Sequence, residues 1–471
     1  MQFDKNMIPE PVLDSDSSLI DLYWKAWKLA WDHVKEAEGI PVSPYMDEAF
    51  ANDRIWIWDT CFMVHFCKYS PRLFPGIQSL ENFYAPIHDG TDTAMKIHHL
   101  DNPPLFAWIE REYFKFTGDI ARLERIFGEK EYLQKHFEFF ETMTPETKLS
   151  CGICPVSLKR EKHGYKWSGN PNGMDNTPRG RDDYDSIYWL DAAAQQALAA
   201  KAIMDIAKIL NNEKTYQKFS EKYNELKDLI NSFYWDEEDG FYYDIYIDSK
   251  EKCKVKTPAS YWPLLAGVAS PEQAEKMSKH ILEPEIFGSE IPWATVSRND
   301  PEYKAEGMYW RGGVWLPTAY MSSKALEKYG YCEEADNAAY RLLKHMLRTW
   351  KEYLPHTIWE AYSPEYPKPA TTKDNVKICR PDFCGWSALG PISLLIENVL
   401  GFHEVDAIER KVVWRKYRSG RHGIKRFRFS DIETDIISDG SEIKVVSNAP
   451  YSLVVNGQAC AVKKGENLFK Q

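Results

Sequence analysis

The sequence predicts an all-α body of paired helices closing into an α/α toroid, followed by a small antiparallel β module. Two observations carry that expectation. Over the first ~400 residues, about a dozen stretches with apolar residues at helical spacing alternate with aromatic, acid-bearing loops. From about Ala407 the chain turns to short runs rich in Val, Ile and Phe, broken by Asp439-Gly440 and Asn456-Gly457 turns. The expected division is 1–404 for the helical body and 405–471 for a β-sandwich-like module packed on it.

Taken in order, residues 18–36 place Leu22, Trp24, Ala26, Leu29 and Val34 at helical spacing. Residues 51–62, A-N-D-R-I-W-I-W-D-T-C-F, alternate like a strand and run into a helix near Thr60. An acid at such a junction ordinarily caps the helix. Here Trp56 and Trp58 share one side of the alternation and Asp59 follows them directly, two rings beside a carboxylate, as a sugar pocket would need. The loop 97–106 enters a helix through prolines. Its neighbours His98 and His99 point apart and make a poor metal pair. Helical patterns follow at 104–116, 120–141, 184–210, 213–233, 259–267, 271–282, 314–329, 333–350 and 386–400. Between them, 234–247 reads as a hairpin turning at Asp239-Gly240, and its acids do not fit a calcium loop. Strands are expected at 411–414, 424–429, 442–446 and 452–455. The basic run 410–428 reads as a solvated face.

Composition narrows the partners. The 471-residue chain carries a net charge of −11, the wrong sign for a phosphate backbone. No apolar run approaches the ~18 residues that a membrane span needs. The first residues lack a basic segment followed by an apolar one, so a cytoplasmic protein is expected. Nine scattered cysteines, an odd number, favour reduced thiols. Cys151 and Cys154 form a C-x-x-C and Cys379 and Cys384 a looser pair, but neither the spacing nor the context suits zinc or redox work. No metal and no cofactor are expected. The 17 tryptophans suit a core and the faces of sugar rings alike.

The stretch 168–181, S-G-N-P-N-G-M-D-N-T-P-R-G-R, holds three glycines and two prolines and can be neither helix nor strand. Asp175 lies at its centre. Glu360 lies in I-W-E-A-Y, between Trp359 and Tyr362, where low polarity raises a carboxyl pKa. Two carboxyl groups in unusual settings are what cleavage of a glycosidic bond requires. Spacing alone leaves capping and salt bridging open as their roles.

W-D-T-C-F, N-G-M-D-N-T-P-R, Y-W-R-G-G-V-W, W-E-A-Y-S-P-E and F-C-G-W-S-A-L together resemble glycoside hydrolase family 63, in that family's order from Trp56 to Gly390. The resemblance implies an (α/α)6 barrel that hydrolyses α-linked glucosides or mannosides with inversion. It implies Asp175 as general acid and Glu360 as general base, with Trp58 and Asp59 lining the subsite for the cleaved sugar. Arg179, Trp310, Arg311, Trp315 and Trp386 fall in motifs that shape the same pocket. Two positions depart from the pattern. Gly313 stands where relatives have proline, which bears on loop stiffness, and Asn102 stands where glutamine is expected, which bears on sugar contacts. Competing readings are a glycoside phosphorylase, an epimerase working through loop histidines (His88, His98, His99, His356) and a non-catalytic glycan-binding protein. All of them take a carbohydrate as partner.

Overall fold

Helices of two kinds build the body. The computed structural model describes residues 2–48, 53–98, 104–142, 158–167 and 172–470. Ile57–Cys67 and the π-helical Gly390–Val399 are buried at every residue, and the alanine-rich Leu190–Ile209 over most of its length. A helix apolar all round has to be walled on every side. The walls are amphipathic partners such as Ser17–Asp32, Glu213–Phe233 and Cys332–Glu352. Glu213–Phe233 buries only Phe219, Leu226, Leu229 and Ile230. Short links make the pairs antiparallel. Leu190–Ile209 turns into Glu213–Phe233 through Asn212, whose side chain accepts from the Thr215 N–H. Leu316–Lys328 turns into Cys332–Glu352 through the short link 329–331, without a side-chain cap.

Where boundaries moved, local pairing explains it. The helix expected from 184 begins at Leu190, because Ile187–Tyr188 forms a strand against Asp244–Tyr246. The stretch 120–141 is interrupted by the π-turn Glu124–Glu129 and by Glu131 at φ 53°, and resumes as Tyr132–Thr142. The 234–247 segment does pair, Trp235–Asp236 with Phe241–Tyr242, around Asp239 and Gly240.

The C-terminal β module contains two sheets. Phe402–Asp406, Lys411–Trp414, Tyr451–Val455 and Gln458–Val462 make one, in that order, with Lys411–Trp414 parallel to Tyr451–Val455. The other runs His422–Phe429, Ile432–Ser438, Glu442–Ser447 and Gly465–Lys470, and its opposite edge is the N-terminal strand Glu10–Leu13. The expected boundary at 404/405 therefore falls inside a strand, and the first residues of the chain close a sheet of the last. Phe402, stacked on Trp414 at 5.0 Å, meets Phe427, and Tyr451 meets Phe429, so the two inner faces share one core.

The module is tied to the helices by charge as well as by rings. Glu327 and Asp336 converge on His403, at 3.5 and 3.4 Å, while Lys324 and Arg415 neutralise them from the other side. Those cations make the group an ion-pair knot rather than a metal site. The two carboxylates raise His403 from 6.5 to about 9 against the cost of its burial. A raised folded pKa means proton uptake on folding. Its contribution is complete below pH 6.5 and is lost as pH rises through about 9. Urea unfolding of His403→Gln beside the parent chain is expected to show a deficit on the order of 1–3 kcal/mol at low pH that vanishes above the raised pKa.

Candidate active site

The strand Arg54–Trp56 delivers Trp58 and Asp59 into the first turn of the Ile57–Cys67 helix. Trp56 is the N-cap residue and makes no side-chain capping bond, so Asp59 is not the cap. Its Oδ1 is buried and has no hydrogen-bond partner among the described residues, and neither has Trp58 Nε1. A buried polar atom without a partner in the protein leaves a bond for water or a ligand to make. Burial first, then Glu48, Glu360 and Asp175 in turn, push the Asp59 carboxyl far above its ordinary range.

Glu360 is buried, and its carboxylate accepts twice. The Tyr309 hydroxyl donates to Oε1 at 2.9 Å and the Arg380 N–H to Oε2 at 3.1 Å. Its own carbonyl accepts from Trp386 Nε1 at 3.0 Å, which locks the backbone beneath it. Burial raises the Glu360 carboxyl, both donors and the Arg380 charge pull it down, and Asp175 adds a smaller push upward. Asp175, by contrast, is 45% exposed and pairs with Lys373 Nζ at 2.8 Å. That ammonium also lies 5.4 Å from the centre of the Tyr309 ring. Tyr309 thus stands between the two carboxylates, its hydroxyl on one and its ring under the cation of the other.

The loop that carries Asp175 is fixed from both sides. Gly173, at φ +89°, lies so close to Trp58 that an added Cβ would come within 3.1 Å of the indole. Asn176 spans the neighbouring loop, donating to the Met308 carbonyl at 2.9 Å and accepting from the Trp310 N–H at 2.8 Å. Met308 and Tyr309 are held at positive φ, 35° and 64°, by this clamp and by Thr371, whose carbonyl receives the Tyr309 N–H. Residues 168–171 lie outside the described residues, as do Asn102, His99, Cys151 and Cys154.

The chain matches the mannosylglycerate hydrolase MGH1-like glycoside hydrolase domain over residues 56–374. It belongs to that family. An uncharacterized protein of Borreliella burgdorferi is 26% identical across 96% of this chain and 95% of its own. The mannosyl-oligosaccharide glucosidase of Saccharomyces cerevisiae is 26% identical over 50% of this chain, which spans only 30% of that enzyme. Among solved structures, the GH63 mannosylglycerate hydrolase of Thermus thermophilus in complex with glucose superposes with a TM-score of 0.59 at 16% identity, over 79% of this chain and 99% of its own.

In this glycoside hydrolase domain the remaining motif residues support the two loops. Trp310 stacks on Trp315 at 4.1 Å, and Trp386 closes on Trp315 at 5.3 Å. All three are buried, so they form the floor of the loops. Arg311 donates to the Asn176 carbonyl and pairs with Glu302 and Asp182. Arg179, expected in the pocket wall, is buried behind it. Its guanidinium forks onto Asp191 and Asp244 at 2.6–3.0 Å and lies over Trp189. Those bonds tie the loop to the Leu190–Ile209 helix and to the strand Asp244–Tyr246. Arg181 pairs with Asp300 near the surface.

Gly313 does more than set loop stiffness. Its N–H donates to the Gly307 carbonyl, which a proline could not do, and a Cβ would meet the Tyr309 carbonyl at 2.3 Å. Glu48 was not anticipated. It is wholly buried, accepts from the Trp56 N–H and the Thr60 hydroxyl at the start of the Asp59 helix, and burial pushes its carboxyl up to about 8. An acid between Met46 and the apolar 49–50 was the available signal. Cys379 and Cys384 are separate buried thiols. No helix among the described residues is long and apolar enough to cross a membrane.

Proposed function

We propose that this chain hydrolyses an α-linked glucoside or mannoside with inversion, Asp175 giving a proton to the leaving oxygen and Glu360 taking one from water. The observation that supports it best is the Tyr309 bridge, which brings together two carboxylates far apart in sequence and in opposite environments. Glu360 accepts hydrogen bonds on both oxygens, which favour the carboxylate, while its burial raises its affinity for the proton that a general base must take. Asp175 faces solvent, where a leaving group would depart, and can donate only once its ion pair with Lys373 opens. Asp59 and Trp58 offer an acceptor and a donor for hydroxyls of the sugar being cleaved. The body is then an (α/α)6 toroid over residues 1–404, with the irregular loops meeting at one end and the 405–471 module as support.

A glucoside is the first choice of substrate, given a glucosidase among the relatives and a glucose complex among the neighbouring structures. An epimerase finds little support in the histidines. His88 is pushed down to about 4 by burial beside Tyr132 and His136, and His356 is bound to the Trp350 carbonyl. The deciding experiment is 1H NMR of aryl α-glucosides and α-linked disaccharides mixed with the protein, with and without phosphate. The β-anomer is expected to appear first, at a rate indifferent to phosphate. Release of the α-anomer would overturn inversion, and a sugar phosphate product would overturn hydrolysis.

A further inference from the structure

We propose that the cavity between the helical body and the β module is a second ligand site, built for a small phosphate-bearing anion. It lies at the far end of the Ile57–Cys67 helix, about 13 Å along the axis from Asp59. An aromatic plug separates the two ends. Trp58 packs on Phe62 at 5.0 Å, Phe62 on Trp108 at 6.1 Å and Trp108 on Trp262 at 5.9 Å. Beyond it His65, Trp108 and Tyr320 form the floor of a space of about 760 Å³, within the range that holds metabolites.

Charge defines what this space would take. Two helices each present a cationic pair at i, i+4 spacing, Arg111 with Lys115 and Lys324 with Lys328, and residues one turn apart share a face. The carboxylates on the wall are already committed. Glu112 is held by Arg111, Glu397 by Lys68 and Lys324, Glu327 by Lys324, and Glu404 by Lys411. Lys115 and Lys328 have no carboxylate within ion-pair distance among the described residues, and Lys328 spends one N–H on the Leu265 carbonyl. The buried Nε–H of Arg415, on the module side, has no acceptor there either. With the wall carboxylates already paired, Lys115 and Lys328 stand in excess beside a partly enclosed space, and a dianion with several acceptor oxygens would pair with them through charge-assisted hydrogen bonds.

Thermal unfolding and 31P NMR titrations of the full chain test this, with inorganic phosphate in one arm and glucose 6-phosphate in the other, at ionic strength fixed with sodium chloride. The expected result is a saturable rise in Tm with at least one probe. Apparent affinity should fall roughly tenfold or more in Lys115→Gln and in Lys328→Gln, and stay unchanged in Lys373→Gln at the catalytic end. Tighter binding of the ester would mark the occupant as a phosphorylated metabolite, and tighter binding of the free ion would mark it as inorganic phosphate. Lys115 and Lys328 are both exposed, so both variants are expected to fold. Absence of saturation with both probes, equal affinity in Lys115→Gln and the parent, or loss of binding in Lys373→Gln would each overturn the proposal.

Discussion

Glu360→Gln is expected to lower kcat roughly 10²- to 10⁴-fold on every α-glycoside the protein accepts, the range that loss of a general base commands. The fold should not suffer. Burial raises this carboxyl above its ordinary range, so ionised Glu360 destabilises the folded chain at neutral pH. A neutral isostere removes that penalty, and the variant should unfold at the same urea concentration as the parent or a higher one. Asp175→Asn should behave differently. Its ion pair with Lys373 is about half exposed, so stability moves by at most about 1 kcal/mol. Its rate loss should depend on the substrate, severe for a disaccharide and mild for an aryl glycoside whose phenolate departs without a proton. Equal losses on both substrates would remove Asp175 from the acid's role, and parent-like turnover by Glu360→Gln would sink the assignment of the base.

How far these loops could be read in one dimension depended on what kind of signal each residue left. Asp175 was visible because glycine and proline on both sides exclude regular structure, and Glu360 because aromatic residues flank it. The fully buried helices were visible as apolar runs, and Glu213–Phe233 matched its amphipathic pattern end to end. Roles that depend on a partner remote in sequence left no local mark. Asn176 looks like any turn residue until Met308 and Trp310 arrive on its side chain. Tyr309 gains its importance only from Glu360 and Lys373, and Glu48 only from the helix it caps from outside. The strands Phe402–Asp406, Ile432–Ser438, Gln458–Val462 and Gly465–Lys470 were missed for a related reason. Charged and small residues dilute their alternation, as edge or half-solvated strands allow. Glu10–Leu13 was missed because its partner lies at the opposite end of the chain.

Arg179 is where reading by motif and reading by structure diverge most, and its removal should cost more stability than any other single change in the loop. It sits between Asp191 at the start of the Leu190–Ile209 helix and Asp244 on the strand Asp244–Tyr246. Asp244 in turn receives the Leu190 N–H at 2.9 Å, so one guanidinium holds a loop, a helix start and a strand together. Arg179→Ala strands two carboxylates without water or counter-charge, a change that costs roughly 3–5 kcal/mol. Urea unfolding should show that loss, while Arg181→Ala should lose less, because Arg181 itself is 41% exposed and the buried Asp300 keeps the Glu302 N–H as a donor. Arg179→Lys should recover part of the stability, because a single ammonium cannot fork onto both acids. Activity separates positioning from sugar contact. If Arg179 acts by holding Asp175 in place, kcat falls in Arg179→Lys with little change in KM, whereas a guanidinium that touched sugar would show itself in KM. A parent-like unfolding midpoint for Arg179→Ala would mean that the buried triad does not carry the loop.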